Sequence, residues 1–310
     1  MNARFRERAA AFAAALAAVA SVAGCTAGGG AAGTDDGAGE GRAPIRPGMS
    51  YDAADPATWV LPIEAYLPTP DEDKQISKAR EALVDRCLRS FGFEPKPVPD
   101  LPPLGPSTLT DLRYGIHDAG AAAKWGYKTD PEQQAAYDAV VAQGVVGEHS
   151  HPDEPAVLNG DVRTYHGKKV PEGGCSGEAN RKISGEGSYY SKFAEGLGNA
   201  AWTKAKREPE VVKAFKAWSG CMKQEGYTYA EPMDAHEDPL FATPTSSADE
   251  ITVARADVSC RDEHGVNRVW FEAESRLQRA AIEQNAERLD EEKKRLVDSV
   301  RNAAEILGAE

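Results

Sequence analysis

Apolar residues recur at helical spacing along most of the chain and predict a mainly α-helical protein with little sheet. The clearest example is Val211, Phe215, Trp218 and Met222, which follow one another at intervals of four, three and four residues. This spacing places all four side chains on one face of a helix that begins at Pro209. Alternating runs of β-branched residues are nearly absent, so any strand should be short.

Two short segments favour such strands, residues 162–165 and 227–229. Residues 148–174 are the least regular part of the sequence and predict a long loop, because prolines and glycines interrupt every periodic pattern there.

Capping sequences mark the starts of two further helices. Thr69 precedes Glu72, and Ser247 precedes Glu250, by three residues each. A hydroxyl followed at this distance by a carboxylate is typical of a capping box, in which each side chain binds the other residue's backbone N–H. The first of these helices is expected to end near Phe91.

The longest predicted element is an amphipathic C-terminal helix over residues 266–310, which contain no proline. Ile282, Leu289, Leu296 and Ala303 repeat every seven residues, a spacing that suits packing against a second helix. A helix of about forty residues spans roughly 60 Å, more than a domain of this size is wide. Part of it should therefore protrude, lie along another helix or pair with another chain.

The N-terminus predicts export and a lipid anchor. Three arginines precede an apolar run over residues 9–23, as in a secretory signal peptide, and the run is too short to span a membrane. The sequence VAGC that ends at Cys25 resembles the lipobox of bacterial lipoproteins. Such a lipobox implies that residues 1–24 are removed and that Cys25 carries the lipid on the outer face of the cell membrane. An ordinary cleaved signal is the alternative.

Residues 25–50 are rich in glycine and alanine and predict a flexible tether, and residues 51–265 should form the folded helical domain. The full chain has a net charge of −13, and removal of residues 1–24 takes away three arginines and one glutamate, leaving −15. An acidic chain disfavours nucleic acid and anionic lipid as charge-driven partners. Cationic ligands and protein partners remain open.

Four cysteines remain in the exported chain, and an even number predicts two disulfides with three pairings open. Cys87 and Cys221 each stand five residues before a glycine and an aromatic residue, a sequence typical of a helix C-terminus. We predict the pairs Cys87 with Cys175 and Cys221 with Cys260, in which each helix-ending cysteine joins one that precedes another charged helical segment. Zinc is disfavoured because no pair has C-x-x-C spacing.

The sequence names no catalytic residue and no cofactor. It contains no nucleophile elbow, zinc-protease motif, phosphate-binding loop or dinucleotide-binding motif. A metal site is a candidate at His149, His151, Asp153 and His166, because His-x-His can present two imidazoles on one side of an extended strand and carboxylates complete a zinc or copper shell. A solvated polar loop is the competing interpretation.

Three classes of function therefore remain. The preferred one is a non-enzymatic surface binding or structural protein, with a protein partner or self-association through the C-terminal helix. The alternatives are an extracellular hydrolase with an unrecognised site and a metal-binding or small-solute-binding lipoprotein.

Segments near the C-terminus carry a resemblance to a known group. WSGCMKQEGYTY, EITVARADVSC and the Val269-Trp270 pair before the long helix resemble secreted actinobacterial lipoproteins of unknown function. The similarity covers roughly the last hundred residues, and GGCSGEANRKI and RYG extend it more loosely. It implies a lipid-anchored location and disulfide bonds, and it supplies no catalytic residues.

Overall fold

The computed structural model describes residues 51–96, 99–143 and 151–309. It has the predicted mainly α-helical fold, with two disulfides and a long C-terminal helical run. The signal peptide, Cys25 and the tether lie outside the described residues. The helices are α1 Pro70–Ser90, α2 Ala119–Trp125, α3 Pro131–Val141, α4 Glu154–Asn159, α5 Gly174–Ser184, α6 Lys192–Ala205, α7 Pro209–Gln224, α8 Pro232–His236, α9 Ala248–His264, α10 Val266–Gln284 and α11 Ala286–Gly308.

Short elements complete the described part of the chain. Three 3-10 helices cover Pro56–Thr58, Pro62–Tyr66 and Pro239–Phe241. Strands β1 Thr164–Tyr165 and β2 Lys168–Lys169 form an antiparallel hairpin in which Thr164 lies opposite Lys169.

Two expectations about irregular regions are wrong. Residues 227–229 belong to no strand. The region expected to be a long loop contains α4 and the hairpin. Pro155, which interrupts the sequence pattern, occupies the first turn of α4, where a proline costs no backbone hydrogen bond.

Two helices end in the same way, as their sequences predict. Gly92 and Gly226 have φ of 90° and 95°, the left-handed region that glycine adopts without a steric penalty. The next residue reaches back in each case, since Phe93 N donates to the carbonyl of Leu88 at 3.2 Å and the equivalent bond after α7 measures 2.8 Å. These bonds satisfy carbonyls that a helix end would otherwise leave unpaired.

The main core surrounds Trp270 on α10, which is completely buried. Trp202 of α6 stacks on it with ring centroids 5.2 Å apart, and Phe215 of α7 and Tyr114 meet it edge-on at 5.0 and 5.5 Å. Helices α6, α7 and α10 therefore share one aromatic centre. Burial of each large apolar side chain contributes roughly 1.5–3 kcal/mol.

A second cluster joins α1, α5 and α11. Ile76, Leu83, Ile183, Leu296 and Ala303 are all buried in it. The last two belong to the seven-residue repeat of the predicted C-terminal helix, so α11 lies along other helices of its own chain. Packing along another helix is one of the three arrangements expected from the length of the C-terminal helix.

The C-terminal run is divided at Asn285, which separates α10 from α11. Its φ and ψ are −127° and 21°, outside the helical range, and its side-chain amide donates to the carbonyl of Ala281 at 2.7 Å. Asn285 thus supplies a side-chain donor to one of the last carbonyls of α10, and its own carbonyl accepts from Leu289 in the first turn of α11.

The disulfides have the predicted pairing. Cys87–Cys175 links α1 to α5 with the Cα atoms 5.6 Å apart, and Cys221–Cys260 links α7 to α9 at 5.7 Å. Both distances lie within the normal range for a disulfide. One bond therefore joins two helices of the second cluster, and the other joins α7 of the main core to α9.

Candidate functional site

A cleft opens between residues 105–118, which we call the cleft loop, and the segment that leaves α2 at residues 125–130. Its volume is about 360 Å³, within the range of pockets that hold small molecules. Apolar side chains, aspartates and two histidines line it, including Asp55, Asp111, Leu112, His117, Trp125 and His236.

Threonine hydroxyls hold the cleft loop against the first 3-10 helix. Thr108 Oγ1 donates to the carbonyl of Ala57 at 3.0 Å, and the fully buried Thr110 Oγ1 donates to the carbonyl of Trp59 at 2.7 Å. Breaking such a buried bond leaves an unsatisfied polar group, which costs about 1–3 kcal/mol. These bonds fix the position of one wall of the cleft.

The cleft loop turns sharply at Leu112. This residue has φ of 60°, a left-handed conformation that side chains other than glycine, asparagine and aspartate seldom adopt. The turn separates its two neighbours, since Asp111 lines the cleft while Arg113 enters the interior and pairs with the buried Glu274 at 2.8 Å. The strained backbone thus lies where the chain passes from the cleft to the core.

His117 is held between two carboxylates at the cleft surface. Its Nε2 lies 2.8 Å from Oδ1 of Asp111, and its Nδ1 lies 3.5 Å from Oδ1 of Asp55. The hydrogen bond with His117 is the main reason that the pKa of Asp111 is below its ordinary value. Both ring nitrogens are therefore engaged, and the arrangement suits a fixed polar surface better than a base that takes a proton from a substrate.

Glu250 lies directly behind the opposite wall and is completely buried. Its Oε1 accepts from the backbone N–H of Tyr127 at 3.1 Å and lies 3.4 Å from Nζ of Lys128. A Cβ atom on Gly126 would approach Cγ of Glu250 to 2.9 Å, so glycine is required for this close contact. Its Oε2 has no hydrogen-bond partner among the described residues.

The expected capping box at Ser247 and Glu250 is therefore only half formed. The Ser247 hydroxyl accepts from the backbone N–H of Glu250 at 3.0 Å, as predicted. The Glu250 carboxylate turns away from the helix end and binds Tyr127 and Lys128 instead. A tertiary contact with the cleft wall has displaced the local one.

Tyr127 connects the cleft wall to a buried polar network. Its hydroxyl donates to Oδ2 of Asp257 at 3.0 Å, and burial beside that carboxylate raises its pKa well above the ordinary value. Oδ1 of Asp257 accepts from Trp218 at 2.8 Å and from Arg261 at 2.6 Å. Arg261 also donates to the backbone carbonyls of Tyr114 and Pro232. The network anchors the wall to α7 and α9.

The metal ligands suggested by the sequence are only partly within the described residues, because His149 lies outside them. Asp153 donates its backbone N–H to Nδ1 of His151 at 3.1 Å. His166 occupies the hairpin turn with φ of 45° and packs on Tyr165. Within the described ranges, His151, Asp153 and His166 do not gather at ligand spacing. The four-residue metal site stays a prediction.

A different group does have metal-ligand spacing among the described residues. Ligand atoms of Cys221, Glu263 and His264 lie within 4.8 Å of one another. However, the sulfur of Cys221 is bonded to Cys260, so it offers no thiolate, and the thiolate is the form that binds zinc. We do not assign a metal to this group.

Sequence reasoning did not find the cleft residues. Asp55, Asp111 and His117 match no motif, and the first two lie 56 positions apart along the chain. The only local signal is Asp118 and Asp130, each of which precedes a helix and caps it. Their placement on one cleft depends on how the segments between them fold.

No family model, curated protein or solved structure matches this chain. In the described part of the chain, no helix combines the length and apolar character that a membrane crossing needs.

Proposed function

We propose that this chain is a lipid-anchored, non-enzymatic binding protein of the outer cell surface that holds a small ligand in the cleft beside His117. The cleft geometry carries the proposal. A volume of about 360 Å³ suits a small molecule, and hydrogen-bonded side chains hold its walls before any ligand arrives. Such pre-organisation reduces the entropy lost on binding.

The state of His117 favours binding over catalysis. Asp111 and Asp55 lie against the two ring nitrogens, so the imidazole is held in one orientation at the cleft surface. A general base needs a nitrogen within hydrogen-bond reach of the proton that it removes. The cleft therefore supports the binding class of function better than the hydrolase class.

The cleft is a better binding surface than the C-terminal helix. Leu289, Leu296 and Ala303 of the seven-residue repeat are buried inside the chain, so the face that the sequence offered to a partner is already occupied. Self-association through exposed parts of α11 remains a separate proposal, and sedimentation velocity over a range of protein concentrations tests it.

A blocking substitution tests the binding function. Ala121 lines the cleft, whereas Ala123 on the same helix is exposed and does not line it. We expect A121W to abolish the thermal stabilisation produced by any ligand found in a screen of anionic, neutral and cationic metabolites, and A123W to retain it. Failure of the whole screen to stabilise the wild type, or equal stabilisation of both variants, would contradict a ligand site in the cleft.

The lipid anchor is tested separately at Cys25. Mass spectrometry of the protein from native membranes should find an N-terminal peptide that begins at Cys25 and carries diacylglycerol. We expect Cys25→Ser to release the protein from the membrane fraction. Recovery of an unmodified Cys25, or unchanged membrane retention of the serine variant, would leave an ordinary signal peptide as the interpretation.

A further inference from the structure

We propose that reduction of the Cys221–Cys260 disulfide turns this link between α7 and α9 into a zinc site. The ligands are the two released thiolates together with Glu263 and His264. In the oxidised chain the two sulfurs are bonded to each other, and the ligand set is complete only after that bond is broken. This site is separate from the cleft and needs no ligand there.

Three of the four ligands share one face of α9. Cys260, Glu263 and His264 stand at positions i, i+3 and i+4 of this helix, and side chains at this spacing are neighbours on a helix surface. The fourth ligand, Cys221, comes from α7, and its Cα atom lies 5.7 Å from that of Cys260. Two packed helices therefore bring together a ligand set that contains no C-x-x-C motif.

The distances between the ligand atoms are close to those around a tetrahedral zinc ion. Ligand atoms that are about 2.0–2.3 Å from such an ion lie roughly 3.3–3.8 Å from one another. Sγ of Cys221 lies 3.9 Å from Oε2 of Glu263, and Oε1 of Glu263 lies 3.9 Å from Nε2 of His264. One ligand atom from each of these residues can be chosen so that all three lie within 4.8 Å of one another. Side-chain shifts of about 1 Å are therefore enough to close the zinc shell.

A second contact holds the two helices in place when the disulfide is broken. Trp218 Nε1 donates to Oδ1 of Asp257 at 2.8 Å, and both residues are fully buried. Each stands three residues before one of the cysteines, so the hydrogen bond joins α7 and α9 one turn away from the disulfide. The two cysteines should therefore stay close together as thiols after the disulfide is reduced.

The site is accessible to a reductant and to an ion. Cys221 and His264 are half-buried and Glu263 is exposed, whereas Cys260 is buried. A thiolate of a dithiol reductant can therefore attack Sγ of Cys221, which breaks the bond to Cys260 and forms a mixed disulfide. The second thiol of the reductant then displaces Cys221 and closes the reductant's own disulfide. Two electrons pass from the reductant to the two cysteines, and the two thiol protons are released to solvent when zinc takes both sulfurs as thiolates.

Zinc is the metal that this ligand set favours. Thiolates and imidazoles are its usual ligands in proteins, and a glutamate carboxylate can complete the tetrahedron. Calcium and magnesium prefer shells of oxygen ligands, and Glu263 is the one oxygen ligand of this set. A bound zinc ion replaces the covalent link between α7 and α9 by a coordinate one, so the two helices remain joined under reducing conditions.

Zinc titration of the two redox forms tests the proposal. The protein is treated with dithiothreitol and desalted without oxygen, and the oxidised protein passes through the same steps without the reductant. We expect calorimetry to show that the reduced form binds Zn²⁺ about tenfold more tightly than the oxidised form, or better. Co²⁺ serves as a second probe, because its absorption reports tetrahedral coordination by thiolates. Equal zinc affinity of the two forms, or loss of the helical circular dichroism on reduction, would overturn the proposal.

Matched histidine variants locate the zinc ion in the reduced protein. H264N removes a ligand of the proposed site, whereas H166N changes a histidine that packs on Tyr165, beside the cluster that contains the other disulfide. We expect the zinc affinity to fall about tenfold or more in H264N and to stay within about twofold of wild type in H166N. The opposite pattern, or an equal loss in both variants, would contradict a site on α7 and α9.

Cysteine variants test the thiolates directly. C221S/C260S removes both proposed sulfur ligands, whereas C87S/C175S removes the other pair and keeps them. After reduction, the first variant should lack the thiolate-to-cobalt absorption and the second should retain it. Circular dichroism checks that each variant is folded, and the histidine variants, which keep all four cysteines, provide the test if a serine variant is not. Cobalt–thiolate absorption that persists in folded C221S/C260S would show that the metal binds elsewhere.

Discussion

Arg261 is the residue on which most of the buried polar contacts converge. It is 1% exposed, pairs with the fully buried Asp257 at 2.6 Å and donates to two backbone carbonyls. A Cβ atom at Gly115 would overlap its guanidinium, and Gly115 has φ of 95°, so glycine is required beside it. The sequence did not predict this centre, because no local pattern distinguishes a buried arginine from the exposed ones.

Replacement of Arg261 by methionine should therefore be severely destabilising. The change leaves Asp257 as a buried charge without its partner, which costs about 3–5 kcal/mol. Urea unfolding monitored by circular dichroism measures the loss. The matched control is R276M, because Arg276 pairs with Glu210 at the surface, where solvent screening leaves an ion pair with little effect on stability. Equal losses in the two variants would contradict the structural role of Arg261.

Asp111 predicts a pH dependence of stability. The hydrogen bond from His117 lowers its pKa in the folded state below the ordinary 3.8. The stabilisation from this carboxylate is therefore fully present well above the ordinary pKa of 3.8 and is lost as the pH falls through the lower folded-state pKa. We expect the free energy of unfolding, measured with urea, to be about 1 kcal/mol higher for wild type than for D111N at pH 6. This difference should shrink at pH 3. A difference that grows on acidification would refute the assignment.

At the scale of single elements, helix ends were predictable because their signals are local. Thr69 and Glu72 form the predicted capping box of α1, and the glycine ends of α1 and α7 match their sequences. The break at Asn285 was not predicted, because the seven-residue repeat continues through it without interruption. The break coincides with a change of packing partners, since α10 packs mainly on α6 and α7 whereas α11 packs on α1 and α5.

Helix α3 should be the least protected of the longer helices. None of its residues is buried, and isolated helices of this length are only marginally stable in water. Hydrogen exchange measured by mass spectrometry should therefore show its amides exchanging far faster than those of α10, whose Trp270 is buried. Protection of α3 equal to that of α10 would mean that another molecule covers it in solution.

At the scale of the whole molecule, the sequence predicted the fold class and the disulfides but not the site. The disulfides could be predicted because four cysteines allow only three pairings and two of the cysteines stand near predicted helix ends. The cleft instead joins Asp55, the cleft loop, the end of α2 and His236, and no periodicity links such distant segments. The direction of the Glu250 side chain likewise depends on a wall more than a hundred residues away in sequence.

The two disulfides should contribute comparably and independently to stability. They close loops of 88 and 39 residues, and the chain-entropy model gives each about 4 kcal/mol. We expect C87S/C175S and C221S/C260S each to lower the free energy of unfolding by roughly 2–5 kcal/mol, and the quadruple variant to lose nearly the sum. A large departure from additivity would show that the effects of the two disulfides on stability are coupled.

The interruption at Asn285 also affects which changes of length the chain tolerates. An inserted residue within a continuous helix rotates everything beyond it by about 100°, which would turn Leu296 and Ala303 away from α1 and α5. The same insertion beside Asn285 falls where the helical phase is already broken, so the backbone can absorb it before α11 begins. The fold should therefore tolerate the insertion or deletion of a single residue beside Asn285. The same change one helical turn to either side should destabilise it.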